Sequence, residues 1–205
     1  MQAISRPIPK PLDVAKYDPL LAACDVIDCN HPAIQERAEL LSYGVDGDDN
    51  IAKVCFEWVR DEIEHSVDYE RGPVTCKASD VLEHGTGICY AKSHLLAALL
   101  RANGVPTGMC YQRLRGSHQA FVLHGLNIVH LPQYGWYRID ARGNAHGIDA
   151  QFSPPHERLA WTGKKEGEIN FREIWATPMP QATQVLHLHT AWQDVYENLP
   201  DVRLI

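Results

Sequence analysis

His84-Gly-Thr-Gly-Ile-Cys-Tyr-Ala-Lys-Ser-His-Leu-Leu-Ala-Ala-Leu-Leu-Arg-Ala-Asn-Gly-Val-Pro106 places one cysteine, Cys89, between a glycine-rich turn and a strongly patterned segment. Leu95, Leu96, Leu99 and Leu100 recur at helical spacing, and Gly104 and Pro106 are stop signals, so the spacing predicts a helix with Cys89 in its first turn. A thiol there meets the positive end of the helix dipole and unpaired backbone amides, which favour the nucleophilic thiolate. The plain alternative is a buried cysteine packing as a small hydrophobe. Only a base and a group that orients the base would separate the two readings.

Those partners are sought in His124-Gly-Leu-Asn-Ile-Val-His-Leu-Pro-Gln-Tyr-Gly-Trp-Tyr-Arg-Ile-Asp140, which reads as two β-rich runs around a turn containing proline and glycine. Side chains alternate faces along a strand, so the length of the turn decides whether His124 and Asp140 share a face. A loop centred on Pro132 sets them directly opposite, and one centred between Gln133 and Tyr134 sends them to opposite sides. Pairing them requires a loop of odd length or a bulge.

The order Gly87-Ile88-Cys89, His124, Asp140 resembles the transglutaminase-like superfamily, whose core is papain-like. In that family a Gly-x-Cys opens a helix ending Leu-Leu-Arg-Ala-x-Gly-Ile-Pro, matched here by Leu99 to Pro106. Its second motif, His-Ala-Trp-Val-Glu-Val-Tyr-Leu-Pro-x-Tyr-Gly-Trp-x-x-x-Asp, aligns without a gap to His124–Asp140, including Leu131-Pro132, Tyr134-Gly135-Trp136 and Asp140. His118 lies six residues too early, and His130 falls at an aromatic position of the motif, which leaves His124. Gly125-Leu126 departs from the usual Ala-Trp and removes an aromatic beside the site. Phe56-Glu57-Trp58-Val59-Arg60-Asp61 resembles the family's helix before the cysteine, and the likeness extends over roughly residues 34–143.

The resemblance implies a Cys89–His124–Asp140 triad that attacks an amide or ester carbonyl and forms a thioester, with no cofactor. The acyl donor would be a peptide, a protein or a small amide, hydrolysed rather than crosslinked. A catalytically inactive binding module on the same fold is the alternative. An oxyanion donor is worth roughly 3–4 kcal/mol. The Cys89 amide is the natural first donor; Gln112 and Tyr111 are weak candidates for a second. His84 could approach the thiol but reads better as a solvated or capping residue. Lys92 and Ser93 read as solvated helix face rather than site lining.

Metal chemistry fits poorly. Histidines six apart along a strand at ~3.3 Å per residue are too far apart to share one zinc, and His187 and His189 diverge on a helix. No Cys-x-x-Cys or His-Glu-x-x-His occurs. Asp46–Asp49 lacks the ligand series of a calcium loop and reads as a turn before a helix. Cys55 and Cys110 read as core. The start of the chain has no apolar secretory core, so a reducing, cytoplasmic compartment is expected and disulfides are not.

With 205 residues, 45% hydrophobic and 22% charged, the chain can bury the core of one domain, taken as 1–205. A net charge of −7 argues against nucleic acid and anionic membrane partners, and no apolar run approaches the ~20 residues that span a bilayer. The expected order is a proline-rich start, helices near Pro32–Leu41, Asn50–Glu64 and Ser79–Glu83, then the Cys89 helix. Strands near Thr107–Leu114, Ala120–Leu131 and Trp136–Ala141 follow, and a last helix near Gln181–Asn198. Helices first and strands afterwards give an α+β layout with an antiparallel sheet on the Cys89 helix. Residues 150–180 read as a long excursion that shapes the cleft.

Overall fold

The computed structural model describes residues 17–116 and 120–203. The proline-rich start and His118 lie outside the described residues. Helices α1 (Pro32–Ser42), α2 (Asp48–Glu62) and α3 (Ala78–His84) form one layer. Two-residue strands β1 (Glu64–His65) and β2 (Thr86–Gly87) pair in parallel and lead into α4 (Cys89–Ala102). An antiparallel sheet in the order β5-β4-β3-β6 follows, built from β3 (Thr107–Arg115), β4 (Phe121–Leu131), β5 (Gly135–Ile139) and β6 (Ile169–Asn170). Helices α5 (Pro180–Leu188) and α6 (Trp192–Glu197) close the described chain.

The helix α4 is the keystone. Its leucine pattern predicts one apolar stripe, yet Cys89 through Arg101 are all buried, because α1, α2 and α3 cover one side and β3 and β4 the other. A helix enclosed all round must satisfy its polar side chains internally. The Arg101 guanidinium donates to the carbonyls of Ala22, Thr107 and Ala176 at 2.6–3.0 Å. His94 Nδ1 donates to Cys76 O at 2.8 Å. Lys92 Nζ donates to Arg60 O at 3.3 Å and to Ile63 O, the unpaired carbonyls at the end of α2. Lys92 and Ser93 are therefore not a solvated face: they are 1% and 3% exposed. The helix stops where its sequence predicts. Gly104 takes φ +76°, and amides of Gly104 and Val105 return to Arg101 O and Leu100 O at 3.0 and 2.9 Å, a Schellman closure.

Pleating divides the sheet chemically. Odd-numbered residues Met109, Tyr111, Leu123 and Val129 join the α4 core, while even-numbered Cys110, Leu126 and Ile128 form a second, smaller cluster with Leu20 and Ile174. Residues after α6 lie along β4, where Leu123 N donates to Pro200 O at 2.7 Å, and Asp201 pairs with Arg113 at 2.5 and 2.7 Å.

One expected element differs. In place of a single helix over Gln181–Asn198 the chain forms α5 and α6, separated at His189, whose backbone is extended (φ −124°, ψ 148°). Leu188, needed to continue an apolar stripe, is 67% exposed. The helical spacing across the break comes from two helices that bury Val185, Leu186 and Val195 separately. No described helix is long and apolar enough to cross a membrane.

Candidate active site

Cys89 is the first residue of α4, and no side chain caps that helix start. The amides of its first turn thus keep their donors for another partner. Strand β4 reaches this helix end because position 125 lacks a side chain: a Cβ there would meet Tyr90 Cδ1 at 2.8 Å and Tyr90 Cα at 3.5 Å. The single Ser93 hydroxyl proton is shared between Cys89 O at 2.8 Å and Gly125 O at 3.1 Å, binding helix to strand beside the thiol. His124, the neighbour of Gly125, is brought beside Cys89, and the two side chains interact and line one cleft.

The hairpin has the required parity. Leu131 pairs with Gly135 and Asn127 with Ile139, leaving a three-residue loop centred on Gln133. Asp140 consequently falls on the face of His124 and diagonal to it, and His124 Nε2 donates to Asp140 Oδ2 at 2.9 Å. Nδ1 is left as the ring nitrogen for the thiol. Both side chains are enclosed, His124 being 3% and Asp140 1% exposed. Asp140 also accepts Arg142 N at 3.2 Å and Ala160 N at 3.1 Å.

Burial alone would push the imidazolium towards losing its proton. The Asp140 carboxylate and Cys89 outweigh it and raise His124 to about 10. For Asp140, burial favours the neutral acid, but the charge and hydrogen bond of His124 and the two backbone amides prevail and hold the carboxyl below its ordinary range. The imidazolium and the carboxylate thus form a buried ionised pair beside the first residue of α4.

The aromatic absent from position 126 is replaced from elsewhere in the chain. Trp161, in the 150–180 excursion, stands edge-on to His124 with ring centroids 4.7 Å apart and an interplanar angle of 82°. Gln112, paired with His124 across β3 and β4, holds this loop through Nε2 donating to Trp161 O at 3.0 Å and Asn170 Oδ1 at 2.6 Å. With its amide so engaged, Gln112 is an anchor for Trp161 and not an oxyanion donor. Tyr111 is not a donor either: it is buried in the α4 core, its hydroxyl beside Met179 N at 2.8 Å, and it does not line the cleft. His84 ends α3, exposed, and its carbonyl accepts from Arg71.

Cys89 and His124 line a cleft of about 390 Å³, together with the apolar Leu114, Val122 and Leu199 and the polar His65, Asp68 and Arg142. Arg142 grips Asp68 with both terminal nitrogens, one at 2.7 Å, and its guanidinium carbon lies 5.3 Å from the Trp161 ring centroid. Reading by motif missed His65 and Asp68, because they lie upstream in a two-residue strand and the turn after it. Among the described residues no group of His, Cys, Asp and Glu is placed to hold a metal ion.

The model of the transglutaminase-like superfamily matches residues 37–141, just over half of the chain and all three of Cys89, His124 and Asp140. The chain belongs to the transglutaminase-like superfamily. A candidate cysteine protease from Cytophaga hutchinsonii shares the fold, with a TM-score of 0.51 and 18% identity over 64% of this chain and 45% of its own. The periplasmic domain of TgpA from Pseudomonas aeruginosa, in its ethylmercury complex, gives a TM-score of 0.47 and 17% identity over 63% of this chain and 49% of its own. The chain thus spans about half the length of these two structures. No curated protein matches it in sequence. A cysteine enzyme is the general class that membership of the family supports.

Proposed function

We propose that the protein is a cysteine-dependent acyl-transfer enzyme in which Cys89 is the nucleophile, His124 the base and proton donor, and Asp140 the group that orients the imidazole. The observation that carries this reading is the 2.9 Å His124–Asp140 bond beneath a thiol at the start of α4. The thiolate attacks the carbonyl carbon of an amide, and the resulting oxyanion meets the Cys89 amide at the helix N-terminus. Collapse breaks the C–N bond, His124 protonates the departing amine, and a thioester remains on Cys89.

Water then resolves the thioester, so the reading is an amidase or peptidase acting on a peptide, protein or small amide. The wall of His65, Asp68 and Arg142 favours this choice, because polar groups beside the nucleophile admit water, which an enzyme reserving its thioester for an amine must exclude. No cofactor is required.

The test is iodoacetamide labelling over a pH series with peptide mapping, on wild type and His124→Ala. Cys55 and Cys76, both raised by burial to about 12, serve as internal controls. Selective labelling of Cys89 below pH 7, moved to higher pH in the variant, is the expected outcome. If Cys89 is labelled identically in both proteins the ion pair is absent, and the inactive binding module takes its place.

A further inference from the structure

The cleft holds a second histidine–aspartate pair that the triad does not use. His65 and Cys89 line the same cavity, and the link between them is rigid: His65 pairs with Gly87, two residues before the nucleophile, and Ser66 N donates to Gly87 O at 3.2 Å. The chain then turns back on itself. Amides of Asp68 and Tyr69 both return to His65 O, at 2.9 and 3.1 Å, which folds the Asp68 carboxylate over the imidazole. Asp68 Oδ1 comes to rest 3.8 Å from His65 Nδ1, within ion-pair reach but beyond a hydrogen bond. Arg142 fixes the carboxylate from its other side.

His65 is 6% exposed, and its Nδ1 is buried without a hydrogen-bond partner. A buried, unpaired ring nitrogen costs free energy unless another state of the protein uses it. A neutral imidazole carries one N–H, and the nearby carboxylate favours placing it on Nδ1. Nε2 then keeps its lone pair, on a ring that lines the cleft. Catalytic hydrogen bonds are commonly long in the free enzyme and tighten in the complex, so a 3.8 Å separation is compatible with a working contact.

We propose that His65, oriented by Asp68, binds and deprotonates the acyl acceptor, so that the cleft contains separate histidines for forming and for resolving the thioester. This rests on the acyl-enzyme reading above. In the step, His65 Nε2 takes a proton from water, the water oxygen bonds to the thioester carbonyl carbon, and the C–S bond breaks. The electron pair leaves on Cys89 as thiolate, and the product is the carboxylic acid, which gives up its proton to solvent as does His65. The groups facing His65 are Asp68, Arg142, Lys92 and His124. Burial first, then the three cationic neighbours, lower its pKa well below the ordinary value, which keeps it unprotonated at neutral pH.

Two measurements test the assignment. Wild type, His65→Gln and Cys89→Ser are mixed with p-nitrophenyl acetate, while nitrophenolate release and the acetyl adduct on Cys89 are followed by absorbance and intact mass. The expected result is that His65→Gln acylates at the wild-type rate but clears the adduct about 10²-fold more slowly. Equal clearance in both, or acylation slowed as much as clearance, overturns the role. Wild type releasing nitrophenolate no faster than Cys89→Ser overturns the acyl-enzyme reading itself. Histidine ¹⁵N NMR of wild type at pH 7, assigned by the signal missing from His65→Gln, is independent of activity: a proton on Nδ1 with Nε2 bare supports the proposal, and a proton on Nε2 overturns it.

Discussion

At the scale of single residues, Asp140 carries more than one duty. Its two oxygens accept from the His124 ring and from the amides of Arg142 and Ala160, so one carboxylate fixes the imidazole and the start of the Trp161 loop together. In Asp140→Asn the amide can still accept from backbone, but its NH₂ cannot replace the charge, and the preferred tautomer of the imidazole is lost. The expected outcome is a retained fold with a lowered melting temperature at neutral pH, because the buried ion pair is lost, and with Cys89 alkylation at neutral pH and amide turnover both reduced, the latter by about 10³–10⁴. Alkylation kinetics equal to wild type would show that Asp140 does not orient the base. Cys89, His124 and Asp140 were legible in the sequence as the candidate site because the family motifs carry them at fixed spacing. The places of Trp161 and His65 were not, and the sequence offers Gln112 as a weak candidate oxyanion donor where the structure makes it a loop anchor. Each reaches the site through a contact between distant parts of the chain, and nothing local distinguishes them from an exposed loop tryptophan, a strand glutamine and a histidine in a turn.

At the scale of elements, the decisive contact is that of β4 with the first turn of α4. Gly125 permits it, and no other residue type leaves Tyr90 in place. Gly125→Ala is expected to push helix and strand apart, costing about 1–3 kcal/mol as overpacking does, and to slow Cys89 labelling because His124 moves away with the strand. Urea denaturation and iodoacetamide rates measure the two effects. A variant destabilised but labelled as fast as wild type would separate packing from chemistry. The long elements were readable from periodicity: α1, α3, β3 and β4 lie within two residues of their expected bounds. The pair β1–β2 was not, since two residues cannot show a period, and its existence depends on the register between chain segments some twenty residues apart. The last helix was misread for a related reason, a break at His189 that leaves the apolar spacing intact.

At the scale of the molecule, the burial of α4 sets two opposed responses to pH. Lys92, ordinarily near 10.5, is lowered to about 7 by burial and by Arg142. Between those values the unfolded chain binds a proton that the folded chain does not, so this group makes stability rise with pH. His124, ordinarily near 6.5, is raised to about 10. Its contribution is complete below about 6.5 and is lost as pH rises through about 10, so it makes stability fall over nearly the same interval. Lys92→Met removes the rising limb and leaves the falling one. Denaturation midpoints from pH 7 to 10 are expected to decline in this variant while those of wild type stay nearly level; parallel curves would rule out the titration of Lys92. The three-residue loop at Pro132–Tyr134 has a further consequence, for insertion and deletion in this chain. It works like a reading frame: one residue gained or lost turns Asp140 outward unless a bulge absorbs the change, whereas two restore the phase. Functional length variants of this hairpin should therefore differ by even numbers of residues.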